Sequence, residues 1–423
     1  MTAAPRTPSA PAGLTRRRFL QGSALVGFSA FLAACTAAGE SQGPASIGIP
    51  TPPPESLGPS AAPTPLPSPT GPLQFANWEA YIDQTTAADA KTGVLPAGSS
   101  PTIENFKKKY NVDVNYVEKI NDNEEFYALI QPALSTGLSS GWDLIVMTDW
   151  MAGRLISKGW IEKIDQSTVP NCVANLRDPL RNQPWDAGND YHYPWQSGMT
   201  GIGYDSTALK HAGKSAPKSL ADLYALPANK ITFLTESRDT FGLGLLKLGK
   251  TADPATTTDA DLQAVHDDLR PLVDGGARFT GNDYLQDFAS AKVWAAMVWS
   301  GDLASSADAS QIFVFPAEGT MVWTDNMMIP KGATHMYTAE LMMNYVYDPN
   351  VAAQIENYVY YVCPVKGAED IIKALNASSP LDDYHLGLLF PTPDVVAKQH
   401  NFQFLPDELD AKLKELYLDL AGQ

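Results

Sequence analysis

Trp142-Asp143-Leu144-Ile145-Val146-Met147-Thr148-Asp149-Trp150 is the stretch on which the fold turns. From Asp143 to Met147 it carries an apolar run of the kind found in strands covered on both faces. On its C-terminal side, Trp150–Lys158 reads as a helix stopped at Gly159. On its N-terminal side, Phe126, Leu129, Ile130, Ala133 and Leu134 follow helical spacing. Before them a helix over Ile103–Tyr110 leads into Val112, Val114 and Tyr116, which alternate with Asp113 and Asn115 as a half-buried strand does. Strand and helix succeed one another, the pattern of a parallel sheet with covering helices.

The alternation resumes after Tyr193-Pro194. Ile202–Tyr204, Ile231–Leu234, Val293–Trp299, Ile312–Phe315 and Val322–Ile329 read as strands. A helix starts at Ser219, with Asp222 placed for a capping box. Arg238–Lys250, Asp259–Leu269, Thr338–Tyr347, Val351–Tyr360 and Asp407–Leu420 read as further helices. Residues 73–423 show no internal repeat and are long enough for two lobes with separate cores.

The beginning of the chain has a different character. Residues 1–34 hold four arginines and no acid, followed by the apolar run Ala24–Ala34. That is the layout of an export signal, too short to remain as a membrane span. Arg16-Arg17-Arg18-Phe19-Leu20 matches the twin-arginine type, and Leu32-Ala33-Ala34-Cys35 resembles a bacterial lipobox, with Cys35 as the lipidated residue. Eleven prolines between Gly43 and Pro72 then make an extended linker. Running from just after Cys35 to Pro72, it reaches about 100 Å when stretched. The folded part is thus expected outside the cytoplasmic membrane, periplasmic or at the cell surface, held by lipid.

The net charge is −17, and loss of the four leader arginines makes it −21. Such acidity argues against nucleic acid as a partner and favours cations. Cys172 and Cys363 are compatible with one disulfide or two thiols; their spacing suggests neither a metal site nor a redox motif.

Enzyme signatures fail in turn. There is no H-E-x-x-H and no phosphate-binding G-x-x-x-x-G-K-[ST]. Gly137-Leu138-Ser139-Ser140-Gly141 spells a nucleophile elbow, but it follows a helix and precedes a strand, the reverse of what an elbow needs. Gly242-Leu243-Gly244 lacks a third glycine and sits inside a helix. No cofactor signature and no metal-ligand spacing is found.

What recurs is an aromatic residue beside an acid near a strand end. Trp78-Glu79-x-Tyr81, Thr148-Asp149-Trp150, Glu236-x-x-Asp239, Trp299-x-x-Asp302 and Trp323-x-Asp325 all follow this theme. Ligands of α/β sheets gather beyond the carboxyl ends of strands, so these loops are expected to share a cleft. Indole faces attract ammonium groups, and carboxylates accept their N–H bonds. A lone tryptophan is more often core than ligand wall; five such clusters argue for an organic amine.

Beginning at Asn77-Trp78-x-x-Tyr81-Ile82, residues 73–423 resemble the spermidine/putrescine-binding proteins of ABC importers. Trp142-Asp143-Leu-Ile-Val, Leu155-Ile-x-Lys-Gly159, Ile164-Asp165, Pro194 through Gly198-Met-Thr-Gly201-Ile-Gly203-Tyr204, and Val351-Ala-Ala-Gln354 carry the likeness further. The resemblance implies a two-lobed type II periplasmic-binding-protein fold with crossing hinge strands. It sets lobe 1 at 73–197 plus 301–345 and lobe 2 at 198–300 plus 346–423. It implies aromatic walls at Trp78, Tyr81, Trp299 and Trp323, and loop residues Thr148 and Trp150. Asp302 and Asp325 would hold an amine, Glu236 or Asp239 another part of the ligand, with Tyr361 a further contact. It implies a non-enzymatic monomer that delivers a polyamine to an ABC permease. One position departs: the family places an acid just before the tyrosine, whereas here Ala80 stands there and the acid is Glu79. The same fold with another cationic amine, an amino-acid derivative or a sugar is the alternative; a tethered hydrolase or a purely structural lipoprotein would belong to other classes.

Overall fold

A computed structural model of the chain describes residues 67–85, 95–304, 306, 308–378 and 381–422. The expected leader, Cys35 and nearly all of the proline-rich linker lie outside them. Among the described residues ten strands form one mixed sheet: β1 (Leu73–Trp78), β2 (Val114–Ile120), β3 (Leu144–Thr148), β4 (Tyr193–Asp205), β5 (Ile231–Leu234), β6 (Arg278–Thr280), β7 (Ala295–Trp299), β8 (Gln311–Val314), β9 (Thr320–Met328) and β10 (Gln399–His400). Their order is β2-β1-β3-β9-β4-β7-β5-β6, with β8 on β4 and β10 on β9.

The order has a near-symmetry. β2-β1-β3 is parallel, as is β6-β5-β7. Between them run the two longest strands, antiparallel from Tyr193↔Met327 to Thr200↔Met321. β9 continues against β3, from Asp325↔Thr148 to Met328↔Ile145, while β4 continues against β7, from Thr200↔Trp299 to Tyr204↔Ala295. Two half-sheets are thus joined by two crossing strands. This is the two-lobed type II binding-protein fold.

The leading stretch does what its composition demands. All five residues of β3 are buried, and the Asp149–Ser157 helix follows at once. Helix starts are fixed by side chains: Ser100 caps Pro101–Tyr110, Asp122 caps Asn123–Leu134, and Ser219 and Thr258 form full capping boxes. Gly137–Gly141 is the loop into β3, with Ser139 exposed. Gly242 and Gly244 lie inside the buried Ser237–Lys247 helix, tight against Met321 and Val265. Both short motifs are packing features.

Core membership differs from the expected division of the chain. Leu303, Phe313 and Met321 pack with the second lobe's Ile202, Phe233 and Val298. Val346, Tyr347, Ile355, Val359, Cys363 and Ile372 pack with the first lobe's Leu73, Phe106 and Tyr193. Leu388, Phe402 and Leu409 to Leu420 return to the second core. Local periodicity shows that an element is amphipathic; it does not show which half-sheet receives it after a crossing strand. Cys172 and Cys363 are both buried free thiols, and burial pushes the ionisation of each upward. Among the described residues no helix is long and apolar enough to cross a membrane.

Candidate functional site

A cleft of about 350 Å³ opens where the carboxyl ends of the strands of both half-sheets face each other. Trp78 and Glu79 come from the end of β1, Thr148 from β3, Glu236 from just beyond β5, and Trp299 from β7. Trp323 and Asp325 stand on the crossing strand β9. Tyr81, Asp239 and Tyr361 complete the set of expected residues that line it.

Two carboxylates form the floor, and each is already held by donors. Asp325 accepts from Tyr81 Oη at 2.8 Å and from Thr148 Oγ1 at 2.7 Å. Asn123 fixes that threonine in turn, donating to its hydroxyl at 2.9 Å and accepting its N–H at 3.2 Å. Asp239 accepts from Thr200 Oγ1 at 2.7 Å, from Trp299 Nε1 at 3.1 Å and from Gln403 Nε2 at 3.1 Å. Thr200 also accepts Trp323 Nε1 at 3.2 Å, so one hydroxyl aligns an indole and a carboxylate.

Burial pushes both acids upward, to about 6 each, although these hydrogen bonds pull the other way. Asp239 adds to the rise at Asp325, so their fields overlap. Glu236 is half-exposed at the mouth, and desolvation pushes it up to about 8, with Asp239 and Asp122 opposing its charge and Arg238 favouring it. No lysine, arginine or histidine is among the residues lining the cleft. The arrangement is short of one thing, positive charge.

The rings are held as firmly as the acids. Trp78 Nε1 donates to Val146 O at 3.0 Å. Tyr361 meets Tyr81 edge-on at 5.4 Å and Trp323 at 5.5 Å. Two glycines make room for them. A Cβ at Gly198 would lie 2.2 Å from the Trp323 ring, and one at Gly301 2.6 Å from the Tyr361 ring.

Two expected site residues do not line the cleft. Trp150 is 4% exposed and lies under the Arg238 guanidinium, 3.6 Å from its ring centroid. Asp302 accepts from Tyr284 Oη at 2.5 Å and Tyr361 Oη at 2.8 Å; it positions a wall residue from outside. Sequence reasoning missed Asn121, Asp122, Asn123, Thr235, Gly281, Asn282, Asp283 and Gln403. The first three follow β2 and the three from Gly281 follow β6, so the strand-end rule applied to those strands would have found them. Gln403 comes from an irregular segment with no pattern. Among the described residues no cluster of three or more His, Cys, Asp or Glu is placed to hold a metal ion.

Residues 102–378 match the bacterial extracellular solute-binding protein family. The chain belongs to that family. Members of the bacterial extracellular solute-binding protein family carry solutes for transport and are not enzymes, which agrees with the failure of the catalytic motifs. The spermidine/putrescine-binding periplasmic protein of Salmonella typhimurium is 29% identical over 323 residues, 75% of this chain and 83% of that protein. The putrescine-binding periplasmic protein PotF of Escherichia coli is 27% identical over 357 residues, 80% of this chain and 88% of that one. Among solved structures, the spermidine/putrescine substrate-binding protein PotD of Streptococcus pneumoniae superposes with a TM-score of 0.65 at 22% identity, covering 84% of this chain and 98% of that one. These matches agree with the two-lobed fold.

Proposed function

We propose that this solute-binding protein captures a polyamine of the putrescine/spermidine class and presents it to an ABC permease. The observation that carries the reading is the pair Asp239 and Asp325: both buried, both lining one cleft, and walled by Trp78, Trp299, Trp323 and two tyrosines, with no lysine, arginine or histidine among the lining residues. A dicarboxylate floor is costly until a cation neutralises it. An alkylammonium supplies that charge, its N–H groups meet the carboxylates, and its methylenes lie on the rings. The names of the curated relatives point the same way.

A sugar would use the rings but leave the acids uncompensated, and a carboxylate-bearing ligand would face like charge without a cationic partner. Within the same reading, the lobes close over the ligand by flexing β4 and β9, and the protein acts as a monomer. Twin-arginine export and lipidation at Cys35 are the cellular context that residues 1–35 support.

Isothermal titration calorimetry with putrescine, spermidine and spermine tests the assignment. Saturable binding of at least one in the micromolar range is expected. Absence of heat with all three at millimolar concentration, together with no thermal shift, would overturn it.

A further inference from the structure

Ala80 leaves the Trp78–Tyr81 turn without an acid at its third position, yet the cleft is not short of one there. The register of the first two strands explains why. Trp78 at the end of β1 pairs with Ile120 at the end of β2. Two residues beyond each partner stand Ala80 and Asp122, each in the segment that leaves its strand, Ala80 in a turn with a φ of 53° and Asp122 at the N-cap of the next helix. The turn after β1 is tied to β2 itself, because Ala80 N donates to Glu118 Oε1 at 3.1 Å. Asp122 lines the cleft, whereas Ala80 does not.

Asp122 uses Oδ1 to cap the following helix, accepting Glu124 N at 2.8 Å and Glu125 N at 3.1 Å. Serine or asparagine performs that task equally well, so capping alone does not call for a carboxylate. Opposite it, from the other half-sheet, stands Glu236, whose carboxylate has one long backbone hydrogen bond, from Arg238 N at 3.5 Å. Both acids line the one cleft, Asp122 from the segment after β2 and Glu236 from just beyond β5, and the Asp122 charge adds to the rise at Glu236. At the inner end a second observation asks for a donor-bearing guest. Gln403 is 1% exposed and lines the cleft; its Nε2 is spent on Asp239, and its Oε1 has no partner among the described residues.

We propose that Asp122 is a specificity-determining residue of the cleft, forming with Glu236 an outer ammonium subsite that takes the second positive end of a linear amine whose first end lies on Asp239 and Asp325. This rests on the amine reading above and adds to it. The cleft selects for two separated cations, and the acid lacking at Ala80 is supplied from the helix cap that follows the adjacent strand. It also makes ligand binding a bridge between the half-sheets, since Asp122 and Glu236 come from different ones.

The test is calorimetry on the wild-type protein and on Asp122→Asn and Asp122→Ser, with spermidine and with n-butylamine, which has one cation. Both variants keep the helix cap, and unchanged melting temperatures check this. Spermidine affinity is expected to fall about tenfold or more, the scale of one charged hydrogen bond, while n-butylamine affinity stays put. Glu236→Gln is expected to lower spermidine affinity likewise, and the Asp122→Asn/Glu236→Gln pair to lose less than the product of the single losses. If the wild type binds spermidine and Asp122→Asn binds it equally, the subsite is overturned while the amine reading stands. Equal weakening of both probes would also overturn it. If the wild type binds neither amine, the amine reading falls and the subsite with it.

Discussion

The Arg238 guanidinium lies 3.6 Å from the Trp150 ring centroid, so this indole already has its cation. Arg238 also donates through Nε to Gln403 O at 3.1 Å and pairs through Nη2 with Asp410, which in turn accepts from Arg154 Nη2 at 3.0 Å. Arg154 belongs to a first-lobe helix and Arg238 to a second-lobe one. The same chemistry that a cleft offers an amine is used here to fasten the back of the molecule.

Trp150→Leu should therefore act on stability more than on recognition. Loss of ring packing and of a desolvated cation–π contact is expected to cost about 2–4 kcal/mol. Urea unfolding would read that loss, and calorimetry at a temperature where the variant is folded should show amine affinity within about threefold of wild type. A large affinity loss with intact stability would return Trp150 to the ligand site.

Asp325→Asn is expected to separate binding from folding. Oδ2 accepts from Tyr81 and Oδ1 from Thr148, so the asparagine oxygen keeps one of these bonds, and its NH2 can donate to the Tyr81 hydroxyl in place of the other, all without the buried charge. Amine binding should weaken by about 1.5–3 kcal/mol. The ligand-free protein should be no less stable at neutral pH, and a lower melting temperature would show that the charge supports the fold.

Acidity should move the two properties in opposite directions. The carboxyls of Asp239 and Asp325 stand at about 6 in the folded protein, above their ordinary value, so the folded state holds protons that the unfolded chain has released. Their contribution to stability is thus unfavourable at neutral pH and is relieved as pH falls from about 7 to about 4, by roughly 2–3 kcal/mol per group. Amine affinity should fall over the same range, because protonated acids no longer attract a cation. Thermal melts and titrations at pH 7.5 and pH 5 would check both signs, and parallel changes would contradict the assignment.

Gly301→Ala tests how closely the wall is fitted. The added methyl meets the Tyr361 ring at 2.6 Å, so the ring or the short Ser300–Ala304 helix must shift. Overpacking of this kind is expected to cost about 1–3 kcal/mol of stability and to weaken ligand binding through Tyr361. A variant indistinguishable from wild type in melting and affinity would mean that the ring is free to move.

Much of this was legible in the residues, for identifiable reasons. The apolar run of β3 and the helical spacing around it declared an α/β sheet, and the strand-end rule pointed to the turns after β1, β3, β5 and β7. The turn after β2 escaped because Asn121-Asp122-Asn123 reads as a helix start, which it also is. The turn after β6 escaped because three residues, Arg278–Thr280, are too few to show a period. Trp150 and Asp302 follow strands as expected yet are not among the residues lining the cleft, because a strand end fixes where a residue stands, not where its side chain turns. Core membership was not legible for residues 303–321 and 346–372, which flank the part of the chain that packs as expected, since nothing local records which half-sheet a segment joins on either side of a crossing strand.

The acidic floor also has a practical consequence. On the amine reading, any small primary amine in a purification buffer, tris(hydroxymethyl)aminomethane included, is expected to compete for a hollow lined by buried acids and by no lysine, arginine or histidine. Preparations handled that way enter a titration part-filled, with apparent affinity lowered and melting point raised by the contaminant. Exchange into phosphate before measurement sets the true zero.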